Sequence, residues 1–311
     1  MIDSIVFHTT EQAAKVWRYN IPKENIRQTD EHRFEGNIGN IKILETLGGV
    51  TMSGSVAKYL QGQNVESLSR ESYTDALKKI ENDTGIDLHN GFLIRVDMGA
   101  SIIMNHGAAE YMRLFDVIPI YDLVPRMNTD GLKEVLYCTK SGAFEFSAYD
   151  KKKEIERKNK SEQIPDVYRN AKNILRLEYR IIRRQGIKTK LGNGADVTPW
   201  QLAEKEKYRE LQKLFFDFYK SIPKKGRRVF LDGEKEVTPK ELNDILAESY
   251  RQTHPEEYKA VIQSLKDRGR LSDKSIERIR QQERKNAQDF TLSDTNELIH
   301  ELDTKMRVRA Y

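Results

Sequence analysis

An α+β chain is predicted, with an antiparallel sheet in its first part and helices after it, on three observations. Short runs in which apolar and polar residues alternate recur before residue 190, the period of strands with one buried face. Two of them, 133–139 and 143–149, meet at the turn-forming TKSGA of residues 139–143, which reads as a β-hairpin. Beyond residue 197 the alternation gives way to a helical period that opens with TPWQLAEKEK. Threonine suits the cap there and proline the first turn.

Taken in order, strands are expected at 3–8 (DSIVFH), 41–46 (IKILET), 49–55 (GVTMSGS), 93–103 (LIRVDMGASII), 133–139 (KEVLYCT), 143–149 (AFEFSAY) and 173–182 (NILRLEYRII). Helices are expected at 65–81, where serines near the start suit a cap, at 106–122, broken by Pro119, and at 150–160. Further helices should start at 198, repeat the Thr-Pro opening at 238–252 (TPKELNDILAESYRQ), and cover 254–265, 272–287 and 291–306. The run KLGNGADVTP marks a boundary. Residues 1–192 should form one domain, and residues 193–311 an all-helical region for DNA binding or oligomerisation.

Composition narrows the class. With 311 residues, 38% hydrophobic and 32% charged, the chain is long enough for two domains and globular, not disordered. No stretch approaches the roughly 18 apolar residues of a membrane span, so no membrane partner is expected. MIDSIVFHTT lacks a basic leader region and reads as a first strand, not a signal peptide. Cys138 is the one cysteine, which rules out an internal disulfide and a cysteine-based zinc site. A cytoplasmic location is expected. The net charge is +5, yet residues 151–190 hold 14 Lys or Arg against 5 Asp or Glu, a local +9 that leaves −4 for the rest. A basic segment on a mildly acidic body suits a phosphate backbone; a solvated helix is the plainer explanation.

Phosphate-binding glycine loops, His-x-Glu-x-x-His and Gly-x-Ser-x-Gly are all missing, and so is a His-hydrophobic-His pair. What remains are polar residues inside strands. Arg95 and Asp97 share one strand face, as do Arg176, Glu178 and Arg180. Two strand acids suit a hard divalent cation such as Mg²⁺; equally, they suit ion pairs with their arginine neighbours. Tyr149 ends the 143–149 run and Lys151 follows two residues later. Strand-end tyrosines commonly pack with a wet hydroxyl. As a nucleophile, Tyr149 would need a cation nearby, since a free phenol titrates near 10.

The segment AYDKKKE at 148–154 fits a Tyr-x-Lys-x-x-Glu pattern, preceded by the hairpin VLYCTKSGAFEFSAY. In order with it stand MID at 1–3, AKYLQGQNV at 57–65, IRVDMGAS at 94–101 and LRLEYRIIRRQGIKTKLG at 175–192. Together these resemble the rolling-circle replication initiators of the filamentous-phage gene II and gene X type, related to the Rep_trans plasmid initiators. The resemblance covers about residues 1–192 and leaves the helical region unmatched.

The resemblance implies an antiparallel-sheet Rep nuclease-like domain that nicks and rejoins one DNA strand at an origin. Tyr149 matches the nucleophile, Lys151 the lysine beside it and Glu154 the acid closing the motif. Asp97 and Glu178 match strand acids that would hold Mg²⁺ or Mn²⁺. Two positions depart from the phage pattern: Gln63 stands in place of its histidine and Thr51 in place of a carboxylate, so Glu45 or a backbone carbonyl would have to complete the metal shell. The product would be a 5′-phosphotyrosine and a free 3′-OH, extended by a host polymerase with a host helicase unwinding. The basic segment, through Lys152, Lys153, Arg157, Lys158, Arg180, Arg183 and Arg184, would track phosphates of the origin DNA. A mobilisation relaxase and a non-catalytic origin-binding copy-number regulator are the alternatives. No Arg–His-x-x-Arg–Tyr set favours a tyrosine recombinase.

Overall fold

The computed structural model of the chain describes all residues other than 117–120, 128–132, 140, 159–163, 225–227, 232–242, 245, 248–249, 252–253, 294–296 and 311. Ten described strands form one antiparallel sheet: β1 (Ile2–Thr9), β2 (Ile26–Asp30), β3 (Arg33–Ile38), β4 (Ile41–Thr46), β5 (Gly49–Ser55), β6 (Phe92–Ile103), β7 (Tyr121–Met127), β8 (Lys133–Thr139), β9 (Phe144–Asp150) and β10 (Ile174–Ile181). Their order is β2-β3-β4-β5-β1-β6-β10-β9-β8-β7. Two local meanders, β2 to β5 and β7 to β9, form the flanks. The middle is assembled from β1, β6 and β10, three segments far apart in sequence. That middle is where the site lies.

The accompanying helices are α1 (Trp17–Asn20), α2 (Val56–Gln61), α3 (Arg70–Thr84), α4 (Ala108–Met112), α5 (Lys151–Arg157), α6 (Asp166–Arg169), α7 (Arg184–Leu191), α8 (Pro199–Ala203) and α9 (Lys205–Ser221). Strand alternation gives the sheet an apolar face, and α9 covers part of it. Phe218 of α9 stacks on Tyr179 at 4.8 Å between ring centroids and lies 5.3 Å from Phe146, while Phe215 lies 6.3 Å from Phe146. Burying each such ring contributes on the order of 1.5–3 kcal/mol. The Thr198 cap closes a reciprocal box with Gln201, and Pro199 sits in the first turn of α8, as its sequence predicts.

The chain divides into two compact units, Met1–Ile222 with Leu302–Tyr311, and Pro223–Glu301. The expected break at residue 192 therefore falls inside the first unit, because α8 and α9 pack with the sheet. The described elements after Ile222 are β11 (Arg228–Leu231), α10 (Pro255–Asp267), α11 (Asp273–Asp289), β12 (Phe290–Ser293) and α12 (Glu297–Ala310). Strands β11 and β12 pair antiparallel, so this region is helical in the main but not all-helical. The expected helix at 238–252 falls largely outside the described residues. The helix expected at 106–122 is only α4, followed by β7, whose pairing with β8 overrides the helical spacing. Among the described residues no helix is long and apolar enough to cross a membrane.

Candidate active site

Strand register builds the site. In an antiparallel pair, partners directly opposite one another lie on one face. Across β6, β10 and β9 the partners form three rows: Ser101, Arg176 and Tyr149; then Gly99, Glu178 and Ser147; then Asp97, Arg180 and Glu145. Tyr149, Glu178 and Asp97, distant in sequence, thus share one face of one sheet. It is the face opposite the one covered by α9.

Arg176, in the middle of the first row, is only 1% exposed. Its Nε donates to Glu178 Oε1 at 3.2 Å, one Nη to Asp3 Oδ2 at 2.6 Å, and the other to the Asn64 carbonyl at 3.0 Å and Ser101 Oγ at 3.1 Å. The guanidinium fits because Gly99 has no side chain. A Cβ there would lie 2.1 Å from an Arg176 nitrogen. Asp3 reaches in where β1 shifts register against β6 between Ile2 and Ser4. It also accepts from Ser55 Oγ at 2.5 Å and Asn64 Nδ2 at 2.9 Å.

Tyr149 is the penultimate residue of β9, and Asp150 then caps α5 by accepting from the Lys153 amide. That abrupt strand-to-helix change puts Tyr149 and Lys151 side by side. The phenol donates to Glu178 Oε1 at 2.9 Å. Lys151, 2% exposed, donates to Glu154 Oε2 at 2.7 Å and Asn64 Oδ1 at 3.1 Å, with its ammonium 5.9 Å from the Tyr149 ring centre. The Asn64 loop is shaped by Gln63, whose side-chain oxygen accepts from the Val65 and Glu66 amides. Val65 and Ile155 join one apolar cluster with Ile164, Tyr168, Ala171 and Ile174, so the loop and α5 are held to each other beside the tyrosine.

The electrostatics describe a neutral phenol in a balanced ionic net. Burial and the Glu178 charge raise the Tyr149 pKa well above the ordinary phenol value, with Arg176 opposing. Burial works against the charge on Glu178 too, but Arg176 and Arg180 overcome it and hold that carboxyl below its usual range. Lys151 is lowered by burial and by Arg176, against the pull of Glu154. Burial raises Asp97 despite its Arg95 partner.

The expected metal pair is engaged otherwise. Arg95 grips both Asp97 oxygens, at 2.6 and 2.7 Å. Glu178 takes Arg176 and Tyr149 on one oxygen and Arg180 on the other, at 2.5 Å. Among the described residues no third His, Cys, Asp or Glu donor joins them at ligand distance; the one such group is Glu81, Asp87 and His89, around the loop after α3. A hard dication needs open oxygen ligands, and in this arrangement Asp97 and Glu178 offer ion pairs instead. Glu45 does not complete a shell either. It accepts from Trp17 Nε1 at 3.0 Å and lies 3.1 Å from Arg18 Nε. Thr51 is hydrogen-bonded to His8.

The expected phosphate-contacting residues separate into two surface groups and one half-buried arginine. Lys153 and Arg157 are exposed on α5 and Lys158 at its C-terminal cap, and Lys152 donates to the Arg169 carbonyl at 2.8 Å. Arg183 and Arg184 are exposed at the start of α7, with Arg184 holding Asp196 and lying 3.6 Å over the Phe92 ring. Arg180 does not belong to that surface: it is bound to Glu178 and Glu145 inside the site. Asp3, Asn64 and Ser101 carry no role from strand spacing, although all three lie within quoted motifs.

Residues 24–199 match the Phage_CRI family, the N-terminal part of a phage replication-associated protein. That is more than half of the chain, and the protein belongs to this family of replication-associated proteins. The resemblance to phage gene II-type rolling-circle initiators is borne out at this level. A solved structure titled "Structure of Rolling Circle Replication Initiator Protein from Geobacillus stearothermophilus" is similar at 7% identity, with a TM-score of 0.35, covering 79% of this chain and 94% of that one. None of the curated proteins matches the sequence.

Proposed function

We propose that the protein initiates rolling-circle replication of a phage or plasmid by nicking one origin strand with Tyr149 and later rejoining it. The observation that carries this reading is the Tyr149 hydroxyl, hydrogen-bonded to Glu178 and flanked by Lys151, on the polar face of the sheet. In the proposed step the phenol proton passes to Glu178 as the phenol oxygen attacks phosphorus. A Tyr149–phosphate ester forms, the bond to the 3′ oxygen breaks, and the Lys151 ammonium supplies that oxygen with a proton. The ester retains the energy of the broken bond, so rejoining needs no nucleotide. Glu154 positions Lys151, and Arg176 positions Glu178.

Lys152, Lys153 and Arg157 on α5 with Lys158 at its end, and Arg183 and Arg184 at the start of α7, are proposed to track the DNA backbone. Residues 193–311 are proposed to serve DNA binding or oligomerisation, and host helicase and polymerase to follow the nick in the cytoplasm. Mg²⁺ or Mn²⁺ remains an expectation of the family resemblance, and no step above runs through it.

Purified protein should convert a supercoiled plasmid carrying its own origin to the nicked and relaxed forms. Tyr149→Phe should abolish nicking and the covalent DNA adduct while origin binding persists. Adduct formation by Tyr149→Phe would refute the assignment. Origin binding by the wild type without nicking, in either metal, would favour the copy-number regulator.

A further inference from the structure

Two buried polar atoms on the tyrosine-bearing face have no hydrogen-bond partner among the described residues, the Ser147 hydroxyl and Arg180 Nε. A third, Arg18 Nε, lies against Glu45 at 3.1 Å and is thereby accounted for. Ser147 is 1% exposed. A buried hydroxyl left unpaired costs stability, and an alanine at this position of β9 would avoid that cost.

Their placement is informative. Ser147 stands directly across from Glu178, between Tyr149 and Glu145 on β9, while Arg180 is the next residue on the same face of β10. Tyr149 donates to one oxygen of Glu178 and Arg180 to the other. The nucleophilic oxygen, the arginine and the serine are thus gathered around a single carboxylate. A group reaching both Ser147 and Arg180 Nε would have to accept a hydrogen bond from the Nε–H, and beside a guanidinium an anion is favoured over a cation.

We propose that Ser147 Oγ and Arg180 Nε form an oxyanion site for the scissile phosphate, donating to a non-bridging oxygen as Tyr149 attacks phosphorus. This rests on the nicking reading above. The two donors transfer no proton: the phenol proton still goes to Glu178, the tyrosine–phosphorus bond forms and the phosphorus–3′ oxygen bond breaks. They supply fixed dipoles where charge accumulates, in a site that water enters poorly. Ser147 thereby acquires a reason to be a buried serine.

The test uses the full chain and a supercoiled plasmid carrying its own origin, with Ser147→Ala and Arg180→Lys, the second keeping charge while removing Nε–H. For Ser147→Ala, kcat should fall on the order of 100- to 1,000-fold, with plasmid affinity unchanged and the melting temperature equal to or above that of the wild type. A structural role alone would lower the melting temperature and leave kcat in place. Wild-type kcat in both variants would overturn the proposal and leave a buried water as the occupant. Failure of the nicking reading is separately visible: the wild type would then form no Tyr149 adduct at all.

Discussion

At the scale of single residues, the site turns on a glycine and an arginine. Arg176 satisfies four partners at once, and it lies where it does because Gly99, beside Glu178, leaves room for its guanidinium. Gly99→Ala would push the guanidinium away from Asp3 and Glu178, uncoupling two carboxylates from their counter-charge. Overpacking of this kind costs about 1–3 kcal/mol, and the lost ion pairs add to it. Chemical denaturation should show a loss of at least about 1 kcal/mol, and nicking should fall further than stability alone explains. Sequence spacing places Arg176, Glu178 and Tyr149 on strand faces correctly. It does not pair Arg176 with Asp3, 173 residues away, since that contact exists only through the β1–β6–β10 order. The competing readings of Asp97 and Glu178, cation ligands or ion pairs, differ by which oxygens are free, and strand periodicity is silent on that.

At the scale of elements, the junction from β9 to α5 sets Tyr149 against Lys151. Asp150 ends the strand and caps the helix, its carboxylate accepting from the Lys153 amide at 3.0 Å. Asp150→Ala should cost about 0.5–2 kcal/mol of stability and loosen Lys151. Thermal melting and nicking rate should both fall, with the covalent adduct still formed on Tyr149. The β8–β9 hairpin and β10 are legible from alternation, because their apolar faces are continuous. The β2–β3 hairpin is not: IRQTDEHRFEGNI carries charge on both faces of an edge pair, where little packing imposes a pattern. Helix α3 begins at Arg70 and not at residue 65, since Ser69 is the serine that caps it.

At the scale of the whole molecule, the buried charges tie stability to pH. Burial opposes the charge on Glu154, but Lys151 and Lys158 hold its carboxyl below the ordinary glutamate value of 4.5. Glu178 is lowered likewise by its arginines. Groups with lowered values contribute fully above the unfolded pKa, and their contribution is lost as pH falls through the folded one. Asp97, raised by burial, acts in the opposite sense: its contribution is present at low pH and lost as pH rises through its folded value. Two lowered carboxyls against one raised predict a melting temperature that falls below about pH 4.5. Glu154→Gln should flatten that acid limb, measured by melting temperature against pH. The division of the chain was only partly legible, because the glycine-rich run at 191–194 is a tight turn inside the first unit: Asn193 and Gly194 take positive φ there, and the chain then continues into α8 and α9.

Residues 302–311 return to the sheet-bearing unit after the excursion of 223–301, and the Tyr219 hydroxyl at its departure donates to Asp303 at its re-entry. That hydrogen bond acts as a clasp at the neck of a loop. An insert that leaves and rejoins a fold at one place is close to thermodynamically silent in its length, since closure entropy grows only with the logarithm of loop size. Lengthening or trimming the second unit should therefore cost the first little, and the strand register that aligns Tyr149 with Glu178 should stay as it is.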